Sequence, residues 1–245
     1  MIMKFVLMTL SLLLVNAQGD QQCGIHLSHY SSNPSIVPIK SCCDLRIYPP
    51  ARVPSGVYKM SMGTFGTADV YCDMTTAAGG WIVIQRNRKD SSVNFNRNWR
   101  EYEDGFGDLS TDFWYGLEAM HTLTQNGQWE MRVDFKKEDG SWSYIHYNQF
   151  KVGCASEQYR LTVGGYTGGD GDYFTAGNEP SNNRPFTTFD RENDLYGPSN
   201  CARAVNGAWW YHSCFDINPN IQPPQYDWPR IAVNIEMKVR PKDCN

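Results

Sequence analysis

Eight cysteines, Cys23, Cys42, Cys43, Cys72, Cys154, Cys201, Cys214 and Cys244, set the strongest limit on what this 245-residue chain folds into. They follow a segment that reads as an export signal. Lys4 gives a positive start, Phe5 to Val15 is an apolar run, and Val15-Asn16-Ala17 is a small-residue cleavage site. Residues 1–17 are therefore expected to be a signal peptide, too short to span a membrane, and no later stretch approaches the roughly 18 apolar residues of a span. An even cysteine count behind such a leader implies secretion and disulfides formed in an oxidising compartment. Zinc would want closely spaced Cys or His pairs, which are missing. Composition leaves the pairing open. The chain is long enough to bury a core of its own, which the bridges supplement.

The formal net charge is −4. An acidic chain without clustered Lys or Arg is a poor partner for a phosphate backbone, so nucleic acid is excluded as a ligand class. No G-x-S-x-G, phosphate loop or H-E-x-x-H motif occurs, and an enzyme reading has no residue to stand on. No N-x-[ST] acceptor without proline occurs either, so N-glycosylation is not expected. Residues 18–41, rich in Ser, Asn, Gln and Pro, read as a short flexible arm. The arm has no collagen repeat and no heptads, so a homo-oligomer would form through the globular part or through Cys23.

From Cys42 to Asn245 the signals are those of a globular domain of short strands and long loops. Val57 to Met60, Asp69 to Cys72 and Trp81 to Gln85 are β-rich runs bounded by glycine. Trp129 to Phe135 and Trp142 to Tyr147 alternate apolar and polar residues, the pattern of half-buried strands in one antiparallel sheet. A helix is expected over Phe113 to Leu123, capped by Ser110, Thr111 or Asp112. Residues 164–230 are heavy in Gly, Asn, Pro and Asp, an unusual length of irregular structure for a compact domain.

Within that stretch, Asp190 to Cys214 reads DRENDLYGPSNCARAVNGAWWYHSC. Acids alternate at Asp190, Glu192 and Asp194, a Gly-Pro-Ser turn follows, and two cysteines bracket the aromatic triplet. Alternate carboxylates and backbone carbonyls on an irregular loop suit Ca²⁺, which takes six to eight oxygens at about 2.3–2.6 Å. An EF-hand is excluded, because the twelfth position counted from Asp190 is Cys201 and not Glu. Asp170 and Asp172 form a second acidic loop, which reads as a solvated turn.

The chain resembles the secreted fibrinogen C-terminal domains of ficolins, tachylectins, angiopoietins and fibrinogen itself. The resemblance is carried by CCDL at 42–45, SGVY at 55–58, YCDM at 71–74, GGWIVIQRN at 79–87 and NFNRNWREYEDGFG at 94–107. It continues through DFWYGLEAMHTLT at 112–124, EMRVDF at 130–135, YRLTVGGYTGGDGD at 159–172, AWWYHSC at 208–214 and EMKVRP at 236–241. It implies an α+β fold with three subdomains: a cysteine-closed N-terminal one, a central antiparallel sheet with helices, and a loop-rich one for calcium and ligand. It also implies two bridges, Cys42–Cys72 and Cys201–Cys214. Cys43 with Cys244 is expected because the termini of such domains run close together. Cys23 is left to pair with Cys154 or to link protomers. The calcium ligands it implies are the side chains of Glu192 and Asp194 and the carbonyls near Tyr196 and Ser199. Here Glu stands where the family usually has Asp, and one extra residue precedes Cys201.

In the lectin-like members a pocket beside the calcium loop binds acetyl groups, through backbone N–H at a cis peptide before the second bridging cysteine. The matching bond is Ser213–Cys214. Trp209 and Trp210 are read as core, because large aromatics mostly pack. Two departures bear on the pocket. Phe215 replaces the usual histidine, which implies no histidine-driven loss of binding near pH 6. The interval from Cys214 to Glu236 is shortened, leaving Tyr226 and Trp228 to rebuild a pocket wall or to plug it. His212 is read as a structural or surface residue. The resulting expectation is a calcium-dependent, lectin-like protein of innate-immune pattern recognition that binds acetylated sugars or related surface groups, with Ser213, Cys214, Phe215, Tyr226 and Trp228 at the ligand. The alternative is an extracellular protein-binding ligand or matrix component on the same fold.

Overall fold

Glycine-bounded runs of β-branched and aromatic residues become one antiparallel sheet in a computed structural model that describes residues 38–47, 53–197, 199–226 and 230–244. In sequence order the strands and helices are β1 (Gly56–Ser61), β2 (Thr67–Asp73), β3 (Trp81–Arg88), α1 (Trp99–Asp104), β4 (Phe106–Gly107) and β5 (Phe113–Trp114). They continue with α2 (Leu117–Thr124), β6 (Trp129–Lys137), β7 (Trp142–Val152), β8 (Leu161–Gly169), α3 (Cys201–Val205), β9 (Gln225–Tyr226) and β10 (Arg230–Pro241). The sheet order is β1-β2-β3-β10-β6-β7-β8, so the last strand inserts at the centre. The N-terminal hairpin is thus continuous with the central sheet. Among the described residues no helix is long and apolar enough to cross a membrane.

The expected helix over Phe113 to Leu123 starts later. Phe113 and Trp114 pair with Arg86 and Gln85 as a short strand, and α2 begins at Leu117 behind Gly116. Burial decides this: Phe113 and Trp114 are each about 1% exposed as strand residues against β3, and Gly116 takes φ +101, a region open to glycine. The structure adds α1, which the sequence reading does not include. Asn98 accepts from the Glu101 N–H at 3.0 Å while Glu101 accepts from the Asn98 N–H at 3.1 Å, a reciprocal capping box.

Disulfides join Cys42 to Cys72, Cys43 to Cys244 and Cys201 to Cys214. Cys154 is also disulfide-bonded; Cys23, the signal segment and most of the arm lie outside the described residues. Asp170 and Asp172 do not form a solvated turn. Lys137 donates to Asp170 at 2.7 Å, and the Tyr147 hydroxyl donates to Asp172 at 2.6 Å. Both carboxylates fasten the loop after β8 to the sheet, so their cost of burial is offset by hydrogen bonds.

Behind the sheet lies an aromatic core that carries the irregular third of the protein. Trp114, Phe186 and Trp210 are mutual neighbours, with Trp114–Trp210 at 5.9 Å and Phe186–Trp210 at 5.1 Å, and Trp209 packs on Trp210 at 5.0 Å. Trp209 and Trp210 are fully buried, and both indoles are satisfied: Trp210 donates to the Tyr159 carbonyl at 2.7 Å, Trp209 to Ser181 Oγ at 2.9 Å. Those anchors hold the segment that ends in Cys214.

Candidate functional site

The loop from Thr188 to Asn200 is built by side chains that close on backbone. Asp190 turns away from it: its Oδ1 accepts from the Trp99 N–H at 2.9 Å, at the first turn of α1, and from Thr188 Oγ1 at 2.7 Å. Asn200 caps α3 by accepting from the Arg203 N–H at 2.9 Å and donates to the Thr188 carbonyl at 2.9 Å, pinning the loop's two ends. Between them Asp194 is half-buried. Its Oδ1 accepts from the Tyr196 N–H at 2.9 Å and its Oδ2 from the Cys201 N–H at 3.0 Å. Glu192, Tyr196 and Ser199 are exposed around it.

Burial pushes the Asp194 carboxyl up, and the charge of Glu192 pushes it further, against the two backbone donors. The nearby cations are engaged elsewhere. Arg191 lies over the Trp99 ring at 4.0 Å and Arg203 Nε donates to the Phe189 carbonyl at 2.6 Å. Among the described residues no three His, Cys, Asp or Glu side groups converge, so a cation here would rest on two carboxylates and backbone oxygens. An all-oxygen set with two like charges and, among the described residues, no basic partner fits a hard divalent ion.

Beside this loop a cleft of about 370 Å³ is lined by Tyr196, Val205, Ser213, Cys214 and Phe215, with the carboxylates of Glu179 and Asp216. The Cys201–Cys214 bridge joins the two features. Several expectations change here. The Ser213–Cys214 peptide is trans, and the cis bond among the described residues is Gln222–Pro223. A trans bond is the low-energy form for a non-proline residue, and the Ser213 N–H already has an acceptor: it donates to Glu179 Oε2 at 2.6 Å. Phe215 is about 6% exposed and packs on Tyr211 at 6.0 Å. His212 is not a bystander. Its Nδ1 is 2.7 Å from Glu179 Oε2 and 3.0 Å from Ser213 Oγ. The imidazole therefore contacts two residues of the cleft wall, Glu179 and Ser213.

Tyr226 is no part of the cleft wall. It is about 4% exposed and stacks on Phe135 at 4.4 Å, as part of the β9–β10 pairing. The shortened segment folds over the sheet instead: Asn87 donates to the carbonyls of Pro219 at 2.8 Å and Ile221 at 2.9 Å, and Gln85 to Pro219 at 3.0 Å. Trp228 lies outside the described residues. Glu179 is not legible as a site residue in the sequence, since no spacing or motif links it to a serine 34 positions later.

The fold has clear counterparts. The family model "Fibrinogen beta and gamma chains, C-terminal globular domain" matches residues 40–230. "Fibrinogen-like protein A" of Apostichopus parvimensis is 38% identical over 215 residues, 86% of this protein and 72% of its own length. Human "Ficolin-3" is 42% identical over 168 residues, 68% of this protein and only 54% of the ficolin. Among solved structures, the fibrinogen-like globe domain of human ANGPTL6 superposes with a TM-score of 0.76 at 32% identity, covering 86% of this protein and 99% of that domain. With its motif order, its central antiparallel sheet and these matches together, the chain belongs to the fibrinogen C-terminal domain family, a family of recognition and structural proteins.

Proposed function

We propose that this protein is a secreted recognition module that uses calcium to brace a lectin-like cleft and binds acetylated glycans. The observation that carries this is the coupling of the two features: the Asp194 loop and the Ser213–Phe215 cleft share one disulfide and one aromatic anchor. The similarity to a ficolin supports the glycan class. Glu192 and Asp194 with the carbonyls of Tyr196 and Ser199 would hold Ca²⁺. The ion would neutralise two adjacent carboxylates and tie the loop down. Single-site sugar affinity is weak, so a physiological ligand would need linked sites.

Calorimetric titration with N-acetylglucosamine, in calcium and then in chelator, tests the reading. Heat in calcium alone is the expected result. Silence in both, repeated with an immobilised multivalent ligand, would overturn it. Calcium itself has an independent readout. At a hundredfold excess over Kd a ligand adds about 2.7 kcal/mol to the folded state, roughly 5–10 °C in Tm for a domain of this size. Asp194→Asn should erase that increment, and a wild-type Tm identical in calcium and chelator would remove calcium from the proposal.

A protein partner is the second reading, favoured by the carboxylate already bound at the Ser213 N–H and by the shortened segment folded on the sheet. Capture of an extracellular protein that N-acetyl sugars do not compete away would decide for it.

A further inference from the structure

Glu179 occupies the backbone donor of Ser213. Its Oε2 accepts from the Ser213 N–H at 2.6 Å and lies 2.7 Å from His212 Nδ1. Its own backbone is fastened, since the Glu179 N–H donates to Asp216 Oδ2 at 2.9 Å. The approach of this turn also needs Gly177: at φ +98, an added Cβ would lie 2.4 Å from Asp216 Oδ2. The Glu179 carboxylate is held at its root and reaches into the cleft, where the residue's side group is about 29% exposed. It is therefore able to swing into solvent without unfolding its segment.

We infer that Glu179 is an intramolecular occupant of the ligand-acceptor position, which an external oxygen must displace. This rests on the reading above that the Ser213–Cys214 backbone is the ligand-binding element. Hydrogen bonds to a carboxylate are roughly twice as strong as those to a neutral acceptor, so the neutral carbonyl of an acetyl group competes poorly with Glu179 for one N–H. The tethered carboxylate also competes without losing translational freedom. Occupancy by Glu179 thus weakens the binding of single acceptors without abolishing it, and favours ligands that add contacts elsewhere or that give Glu179 a cationic partner once displaced. Glu179 acts here as a specificity-determining residue.

The test follows the Ser213 amide by ¹⁵N–¹H correlation in the purified full-length protein with calcium present, in wild type, Glu179→Ala and Glu179→Gln. In wild type the Ser213 proton should resonate downfield and ignore added sodium acetate. In Glu179→Ala it should move upfield, and acetate should bring it back. Multivalent N-acetylglucosamine should bind Glu179→Ala at least tenfold more tightly than wild type, with Glu179→Gln in between. Thermal melting checks that the variants are folded, and Glu179→Gln, which keeps the shape of the glutamate, stands in if the alanine variant is not. An unchanged Ser213 shift, or a wild-type amide that responds to acetate as readily as the variant, would overturn the inference. So would equal sugar affinity in wild type and variant. A freed amide that takes acetate while neither protein binds the sugar would leave Glu179 as the occupant and overturn the acetyl-sugar reading instead.

Discussion

Replacing Lys238 with methionine should lower the unfolding free energy at pH 7 by about 3–5 kcal/mol, the usual cost of breaking a buried ion pair from one side. Lys238 is about 2% exposed in β10, at the centre of the sheet. Its ammonium lies 2.8 Å from Asp73 Oδ2 and 3.0 Å from Asp134 Oδ2. The charge is therefore matched from both sides, across β3 toward β2 and across to β6. Asp73 has further support: its Oδ1 accepts from the N–H groups of Thr75 and Thr76 at 2.9 and 3.1 Å. Without Lys238, Asp73 loses its cation, while Asp134 keeps Arg132 at 2.7 Å.

The pH dependence gives this variant a signature. Burial by itself would raise the Asp73 carboxyl, but the Lys238 charge and hydrogen bond override that and hold it well below the usual carboxylate range. A depressed acid contributes stability that is full above its unfolded value of 3.8 and lost as pH falls toward its folded value. Lys238 is displaced the other way. Burial lowers it, yet the charges of Glu236, Asp134 and Asp73 raise it above 10.5, so its share of the stability is present below 10.5 and lost as pH rises through the folded value. The wild-type pair is thus insensitive to pH between about 4 and 10. In Lys238→Met the burial of Asp73 is no longer opposed by a cation, its carboxyl moves up, and stability should increase as pH is lowered from 7 to 5. Urea unfolding at both values reads this directly. A loss under about 1 kcal/mol, flat with pH, would mean that the triad contributes little.

Removing the Cys201–Cys214 bridge by paired serine substitution should cost about 3 kcal/mol, from the conformational entropy of a closed loop of this size; the two residues are 13 apart. It should also abolish the rise in Tm with calcium, which a general loss of stability does not explain. Cys201 supplies one of the N–H donors that hold Asp194, and the Cys214 carbonyl accepts from the His212 N–H at 2.8 Å. Opening the bridge releases the Asp194 loop and the cleft together. The control is the Cys42–Cys72 pair, which closes a longer loop at the far end of the sheet. Its removal should cost stability while leaving the calcium increment intact. Calorimetric melts of both double variants, with and without calcium, separate the cases. Equal calcium increments in the two would show that the bridge near the site is a general brace only.

How much is legible in the sequence varies with the range of the interaction. Trp129 to Phe135 and Trp142 to Tyr147 are readable as paired strands because alternation with period two is local, and β6 and β7 do pair antiparallel. Phe113 and Trp114 look helical in one dimension because their strand partners are Gln85 and Arg86, almost thirty positions earlier. Tyr226 points to the ligand in the sequence because it follows Cys214 closely, yet Phe135 on the sheet offers it a drier neighbour. Acidic residues mislead in the same manner. Asp190, Asp170 and Asp172 look alike in composition, and each is committed to a partner outside its own loop.

By itself the sequence determined the family, through the order of its motifs, and the strand runs, through their period. It also determined the loop that carries Glu192 and Asp194, because those signals are short-range and one-dimensional. Only the tertiary structure decided what fills the cleft. Glu179 reaches the Ser213 N–H across 34 positions of chain whose only helix among the described residues is the short α3, the imidazole of His212 turns toward it, and the Ser213–Cys214 bond stays trans. A buried or half-buried N–H must find an acceptor, and which acceptor arrives is settled by how the loops pack.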